Sequence, residues 1–167
     1  MDKLKILLID DDKGLCLLVK KIIEKTKRFD IVTTTDPAAA EDLCWKEKPD
    51  LIILDNVMPG IKGSELVKKF RKNEKTKDVL IIMLTGKGEM VYSEEKEKFE
   101  WNPNALIVKQ RGELEEQKQP GSISEAYGVD AYLLKPLSPR ALLETIDEIL
   151  VKKKEKDDLE EWKKYNM

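Results

Sequence analysis

The strongest constraint on the fold is the alternation of short apolar runs with longer segments of helical periodicity. The runs are apolar or β-branched almost throughout, and they are Leu4–Ile9, Ile31–Thr34, Leu51–Leu54, Val79–Leu84 and Ala131–Leu134. Strands that are apolar on both faces lie in parallel sheets covered by helices on both sides. The order therefore predicts a doubly wound α/β domain with a five-stranded parallel sheet and right-handed crossovers.

The segments between the runs carry helix signals. In the first of them, Asp12 is predicted to cap a helix whose apolar residues recur at helical spacing, at Leu15, Leu18, Val19, Ile22 and Ile23. Further helices are predicted to begin at Asp36–Pro37, Gly63–Ser64 and Ser138–Pro139, because capping residues and proline favour helix N-termini.

Charge and hydropathy exclude several classes of function. The 31 basic and 33 acidic residues give a net charge of −2. This balance argues against direct binding to nucleic acid. None of the apolar runs approaches the roughly 18 residues needed to span a bilayer. The N-terminus has no signal-peptide pattern, so we expect a cytoplasmic protein without a membrane segment. Cys16 and Cys44 lack metal-site spacing and are expected to be reduced, packed thiols.

The 167-residue chain contains no histidine. This absence excludes Ser-His-Asp and Cys-His catalysis and also histidine-ligated zinc. Any chemistry on this chain must use carboxylates, hydroxyls, lysine and arginine.

Chemically useful side chains follow four of the five predicted strands. They are Asp10 and Asp11, Asp55, Thr85 and Lys135. Ligands bind at the carboxyl ends of the strands in open α/β sheets, so these groups are expected to converge. Three neighbouring carboxylates repel one another unless a cation neutralises them, and oxygen ligands suit Mg²⁺. One carboxylate could then attack a phosphoryl group, with the hydroxyl and the ammonium bound to the phosphoryl oxygens.

The stretches Ile9–Asp12, Asp50–Gly60, Leu84–Gly86 and Leu134–Pro136 occur in this order, each at the end of a predicted strand. Together they closely resemble the receiver domains of response regulators in two-component signalling, the CheY-like superfamily. The resemblance covers roughly residues 3–88 and 122–152. It implies a flavodoxin-like fold with strand order 2-1-3-4-5, with an insertion between strands 4 and 5.

The resemblance also implies roles for the acidic residues. Asp55 matches the phosphoacceptor, and Asp11 matches the acid that binds the metal directly. Asp10 matches the acid that assists, usually through water. Asp55 and the backbone carbonyl of Val57 would complete the Mg²⁺ ligands.

Four residues on the last two strands match other roles in the family. Thr85 and Lys135 correspond to the groups that bind the phosphoryl oxygens, and Thr85 also corresponds to the switch hydroxyl. Tyr132 stands where the family carries an aromatic switch, although a plain strand aromatic is an equally good interpretation. The Lys135–Pro136 bond matches one that is cis in the family.

A receiver domain is a signalling phosphoacceptor that catalyses only its own phosphorylation and dephosphorylation. The resemblance implies a histidine kinase or histidine phosphotransfer protein as donor, and a downstream protein target or an output domain as recipient of the signal. An alternative is an interaction module in which phosphorylation is unused. A hydrolase is disfavoured because Val57 stands where such enzymes carry a second acid, and the acids at 10–12 disfavour a flavin phosphate.

Two segments depart from the family pattern. The predicted receiver spans 1–152 with an insertion at about 89–121, for which both a surface excursion and a dimerisation or partner surface remain open. Within it a helix is predicted to start at Ser93–Glu97 and to stop at Asn102–Pro103. A short strand or apolar prop at 105–108, helical turns at 112–118 and a short helix from Ser122 to Gly128 are also predicted.

The second departure is a charged helical extension at 153–167. Leu159, Trp162 and Tyr165 form a thin apolar stripe along it. This stripe could pack on the domain, pair with a partner in a dimer, or begin a linker.

Overall fold

The computed structural model describes residues 3–86, 89–93, 98–102 and 128–166, with the backbone alone described at 89–93 and 98–102. In chain order the strands are β1 (Leu4–Ile9), β2 (Phe29–Thr34), β3 (Leu51–Asp55), β4 (Val57–Met58), β5 (Ile61–Lys62), β6 (Leu80–Thr85), β7 (Glu89–Ser93), β8 (Lys98–Asn102) and β9 (Ala131–Leu134). The α-helices of the described part are α1 (Lys13–Thr26), α2 (Ala40–Glu47), α3 (Gly63–Lys72) and α4 (Pro139–Asn166).

The central sheet has five strands in the order β2-β1-β3-β6-β9, and every pairing within it is parallel. This is the order 2-1-3-4-5 among the five sheet strands, so the predicted doubly wound topology is confirmed. Two strands begin at slightly different residues than predicted: β2 starts at Phe29 and β6 at Leu80.

Alternating residues of the strands pack into two separate hydrophobic cores, one on each face of the sheet. In β1, Ile6 and Leu8 join the core beneath α1 and α4, whereas Leu7 and Ile9 join the core beneath α2 and α3. This division follows from the period of two along a strand. Burial on both faces explains why the strands are apolar without interruption.

The helix caps are largely those expected from the sequence. Asp12 Oδ1 accepts a hydrogen bond from Leu15 N at 3.0 Å at the start of α1. Asp36 caps a 3₁₀ turn over Pro37–Ala39 that leads into α2. Leu18, one of the apolar residues at helical spacing, is 46% exposed, and Cys16 lies on the buried face in its place. Cys16 and Cys44 are buried free thiols, as expected.

The helix predicted to start at Ser93 and stop at Asn102 was wrong at its described residues, Ser93 and 98–102, whereas 94–97 lie outside the described residues. β7 and β8 pair antiparallel, with Glu89 opposite Asn102 and Ser93 opposite Lys98. The valine, tyrosine, phenylalanine and tryptophan of these two segments favour strands. The predictions for 105–108 and 112–118, and the helix predicted from Ser122, lie outside the described residues.

Arg71, near the end of α3, binds to backbone at the end of the sheet where the strands begin, which is opposite to the predicted site. Its guanidinium donates to the backbone carbonyls of Gly128 at 2.8 Å, Lys77 at 2.8 Å and Val79 at 2.7 Å. It also pairs with Asp130 at 3.4 Å. The side chain thereby joins α3 to the segments that enter β6 and β9.

Helix α4 has two parts with different surroundings. Leu142, Ile146 and Ile149 are buried against the sheet. From Val151 onward the described side chains are exposed almost without exception. Among the described helices, none is long and apolar enough to cross a membrane.

Candidate functional site

The polar residues at the strand ends converge at one edge of the sheet. Asp10 and Asp11 directly follow β1, and Asp55 is the last residue of β3. One carboxylate oxygen from each of the three lies within 4.8 Å of the others. Asp10 is fully buried and Asp55 is 4% exposed, whereas Asp11 is open to solvent. The structure thus brings together two buried acids and one accessible acid.

Lys135 follows β9 and extends into this cluster. Its Nζ lies 2.7 Å from Asp10 Oδ2 and 3.2 Å from Asp55 Oδ1. Its backbone N donates to Thr85 O at 2.8 Å, which fixes the end of β9 against the end of β6. One ammonium offsets one of the three carboxylates, so ionised acids leave the cluster with an excess of negative charge.

The backbone after β1 holds Asp10 in place. Its N–H donates to Thr34 O at 3.2 Å, and its Oδ1 accepts from Asp12 N at 2.9 Å. Because Asp12 in turn caps α1, the acidic turn is tied both to the neighbouring strand and to the first helix. Asp12 therefore acts as the predicted cap.

Burial is the main influence on the acidity of Asp55. It raises the pKa of the carboxyl, and the charge of Asp10 raises it further. Lys135 and a backbone hydrogen bond from Val57 oppose this rise. For the lysine, burial would lower the pKa, but the contacts with Asp10 and Asp55 prevail and raise it. The ammonium thus stays charged and helps to keep a buried carboxylate ionised.

The segment after Asp55 is built around a close backbone approach. β4 and β5 form a small hairpin around Pro59–Gly60, with Gly60 at a φ of 86°. Gly63 N then donates to Asn56 O at 2.9 Å. A Cβ on Gly63 would lie 2.3 Å from Asp55 O, so only glycine fits there. The sequence marks Gly63 as a helix start, but nothing in it signals this contact.

Val57, the predicted source of a backbone ligand, lies in β4 two residues after Asp55, and its side chain is exposed. Thr85 is 6% exposed, and its Oγ1 is buried without a hydrogen-bond partner in the described part of the chain. Tyr132 is half-buried and packs against the core beneath α2 and α3. The Lys135–Pro136 peptide bond is cis.

The donor set suits a hard divalent cation. Asp10, Asp11 and Asp55 offer oxygen ligands with excess negative charge, as Mg²⁺ requires. The exposed position of Asp11 leaves room for water ligands, which Mg²⁺ usually retains. The unsatisfied hydroxyl of Thr85 nearby provides a further hydrogen-bond donor for an anion at the same edge.

The response regulator receiver domain family matches residues 6–119, more than half of the chain. The chain belongs to this family. It is therefore a receiver domain of two-component signalling, and the family consists of signalling domains with an acidic Mg²⁺ pocket. The resemblance inferred from the strand-end motifs is confirmed.

Several curated relatives resemble the chain over most of its length. The phosphate regulon transcriptional regulatory protein PhoB of Pseudomonas aeruginosa is 29% identical over 145 residues, which cover 87% of this chain and 51% of that protein. A chemotaxis protein CheY homolog of Campylobacter jejuni is 28% identical over 151 residues, which cover 88% of this chain and 92% of that protein. The chain thus spans about half of the PhoB relative and nearly all of the CheY homolog.

Solved structures support the same fold. Chemotaxis protein CheY4 of Vibrio cholerae has a TM-score of 0.63 at 26% identity, covering 89% of this chain and 99% of its own. A CheY-like receiver domain protein of Methanospirillum hungatei has a TM-score of 0.65 at 25% identity, covering 93% of this chain and 99% of its own.

Proposed function

We propose that this chain accepts a phosphoryl group on Asp55 from a phosphohistidine donor, in an Mg²⁺-dependent reaction, and thereby switches protein–protein interactions. The observation that carries the proposal is the position of the Asp55 carboxylate. It lies at the end of a buried strand, within 4.8 Å of two further carboxylates and 3.2 Å from the ammonium of Lys135.

The transfer exchanges one bond to phosphorus for another. An oxygen of Asp55 attacks the phosphorus, the P–N bond to the donor histidine breaks, and the imidazole leaves with the bonding electron pair and takes up a proton. Asp55 must be ionised to attack, and Lys135 favours this form by offsetting the effect of burial. The missing histidine is no obstacle, because the donor supplies the imidazole.

Asp10, Asp11, Asp55 and the backbone carbonyl of Val57 would hold the metal. When bound, Mg²⁺ supplies positive charge to the phosphoryl oxygens during transfer. The buried position of Asp10 and its backbone hydrogen bonds keep one acid fixed, while exposed Asp11 leaves the site accessible from solvent.

Once Asp55 carries the phosphoryl group, two neighbours acquire a new partner. The ammonium of Lys135 can bind a phosphoryl oxygen in place of a carboxylate oxygen, and the Thr85 hydroxyl can donate to another. Movement of Thr85 would alter the end of β6 and the segment after it, with Tyr132 on the adjacent strand as the accompanying switch. A shift from 1:99 to 99:1 between two states requires about 5.5 kcal/mol, for which these charge-assisted contacts are suitable sources.

The expected donor is a histidine kinase or a histidine phosphotransfer protein. The expected recipient of the signal is a downstream protein or an output domain; the PhoB relative, of which the match covers 51%, is by its name a transcriptional regulator. We assign the receiver to 1–152 and treat 153–167 as its helical extension, which is continuous with α4.

Intact-mass spectrometry after incubation with acetyl phosphate and Mg²⁺ tests the proposal. We expect the wild-type chain to gain the mass of one phosphoryl group, and Asp55→Asn to gain none. Asp30→Asn is the matched control, because Asp30 is an exposed aspartate in β2. Equal labelling of Asp55→Asn and wild type, or full labelling after chelation of the metal, would contradict the proposal.

A further inference from the structure

The second half of α4 carries apolar residues on a face that its own domain leaves uncovered. Val151, Leu159, Trp162 and Tyr165 are all more than half exposed, and Tyr165 is 81% exposed. We call these four residues the outer stripe. Several large exposed apolar groups on one side of a helix indicate an interaction surface.

The phase of the helix explains why the outer stripe stays uncovered. Val151 follows buried Leu142 by nine residues, or two and a half turns, which places the two on opposite sides of α4. Trp162 follows Val151 by eleven residues, about three turns, and returns to the outer side. The outer stripe therefore lies on the side of α4 that faces away from the core beneath α1 and α4.

Charge along the same helix is divided into two blocks. Residues 152–156 contain four lysines and one glutamate, a net charge of +3. Residues 157–161 contain four acids and Leu159, a net charge of −4. Two parallel copies would set like charge against like charge. Two antiparallel copies centred between Lys156 and Asp157 would set each block against its opposite, and such a contact is self-complementary about a two-fold axis.

The same antiparallel register pairs two residues of the outer stripe. When the centre lies between Lys156 and Asp157, Val151 of one copy faces Trp162 of the second copy, and the reverse. Lys154 and Glu161 border the outer stripe on one flank, so each lies beside the opposite charge of the second copy. The charge blocks and the Val151–Trp162 pair thus favour the same register.

We infer that the outer stripe is a docking surface for a second copy of this chain, bound antiparallel through the α4 extension. Glu155 and Asp158 lie on the outer side between Val151 and Trp162. Their like charges oppose close packing at the centre, so the association is reversible and concentration-dependent. The contact lies at the end of α4 remote in sequence from Lys135, and it requires no residue of the acidic site.

Sedimentation velocity of the full chain over a dilution series tests the association. We expect a monomer–dimer equilibrium that Trp162→Ala weakens by at least about tenfold, since buried tryptophans are frequent hot spots. Leu17→Ala on α1 is the matched control, because Leu17 and Trp162 are both 61% exposed. A chain that remains monomeric at every concentration, or a dimer equally insensitive to both substitutions, would overturn the inference and leave the outer stripe to a different protein.

Disulfide formation tests the register. Val151→Cys chains mixed with Trp162→Cys chains should form the mixed disulfide in preference to either symmetric one. In the antiparallel register, equivalent positions 151 are offset by eleven residues, about 16 Å along the axis, beyond the reach of a disulfide. Native Cys16 and Cys44 are buried and should not compete. Predominance of the two symmetric disulfides would indicate a parallel pair and refute the antiparallel one.

The outcome is independent of the proposed function. Failure of phosphorylation at Asp55 would leave the sedimentation results unchanged, and a monomeric chain could still be phosphorylated. Phosphoryl incorporation measured on Trp162→Ala separates the two, and we expect it to equal that of wild type.

Discussion

Replacing Gly63 with alanine should disturb the candidate site without altering any of its polar side chains. The new Cβ would lie 2.3 Å from Asp55 O and 2.9 Å from Asn56 Cα. Ordinary contacts begin near 3.4 Å, so the backbone at position 63 and the backbone of Asp55 must move apart by about 1 Å. Both neighbouring atoms belong to the main chain, which cannot yield by a change of rotamer.

The energetic consequence can be estimated from three effects. Overpacking of this kind costs about 1–3 kcal/mol, and weakening the Gly63 N to Asn56 O hydrogen bond costs about 1 kcal/mol more. Alanine in a helix recovers up to about 1 kcal/mol relative to glycine. We therefore expect Gly63→Ala to lower the free energy of unfolding by about 2 kcal/mol, measured by urea denaturation.

The displacement should also reach the chemistry. A shift of about 1 Å in the backbone that carries the nucleophile can slow a positioned reaction by about 100-fold. The initial rate of Mg²⁺-dependent phosphorylation by acetyl phosphate measures this effect on the fraction of protein that remains folded.

Gly86→Ala is the matched control for stability, because among the described residues no atom beyond its chain neighbours lies within 4 Å of a Cβ at that position. We expect its unfolding free energy to stay within about 0.5 kcal/mol of wild type. If Gly63→Ala proves as stable as Gly86→Ala and is phosphorylated at the wild-type rate, then the close approach to Asp55 does not constrain the site.

Three further predictions follow from contacts elsewhere in the chain. Lys135→Gln leaves two buried acids unpaired and should lower the unfolding free energy by about 3 kcal/mol without metal, with Mg²⁺ restoring part of the loss; thermal denaturation with and without Mg²⁺ checks this. Arg71→Ala removes donors from three backbone carbonyls and should cost about 2 kcal/mol, whereas a control at exposed Arg140 should cost little in the same urea titration. Burial raises the pKa of the Cys44 thiol from 9.0 to about 11, so its contribution to stability, complete below pH 9, is lost as pH rises toward 11. Cys44→Ala should show a shallower loss of stability across that range, and an equally steep one would contradict the assigned burial.

The five sheet strands and their order could be anticipated because local pattern and tertiary placement coincide there. Residues such as Leu51 to Leu54 are apolar on both faces because both faces are covered, and the polar groups must then gather where the strands end. The cap at Asp12 was equally accessible, since it depends on residues only three positions apart.

The features that could not be anticipated depend on contacts distant in sequence. Gly63 faces the backbone of Asp55 only after α3 has packed on the sheet, and Arg71 reaches Gly128 across 57 positions. At Leu18 the helical period is right but the phase is not, because the buried face of α1 follows Cys16, Val19 and Ile23. The pairing of β7 with β8 is hard to predict because the short charged run 93–97 resembles the start of a helix.

The edge strand β9 brings Lys135 into the site, and among the described strands it pairs with β6 alone. The 45 residues from Gly86 to Asp130 separate these two neighbours in the chain. The entropy cost of bringing the two ends of a connection together grows slowly with its length, by about 0.6 kcal/mol for each doubling. A fluorescent protein or a second sensor domain could therefore be inserted into this connection. Lys135 would still reach Asp10 and Asp55, and the inserted domain would report on whether β9 is paired with β6.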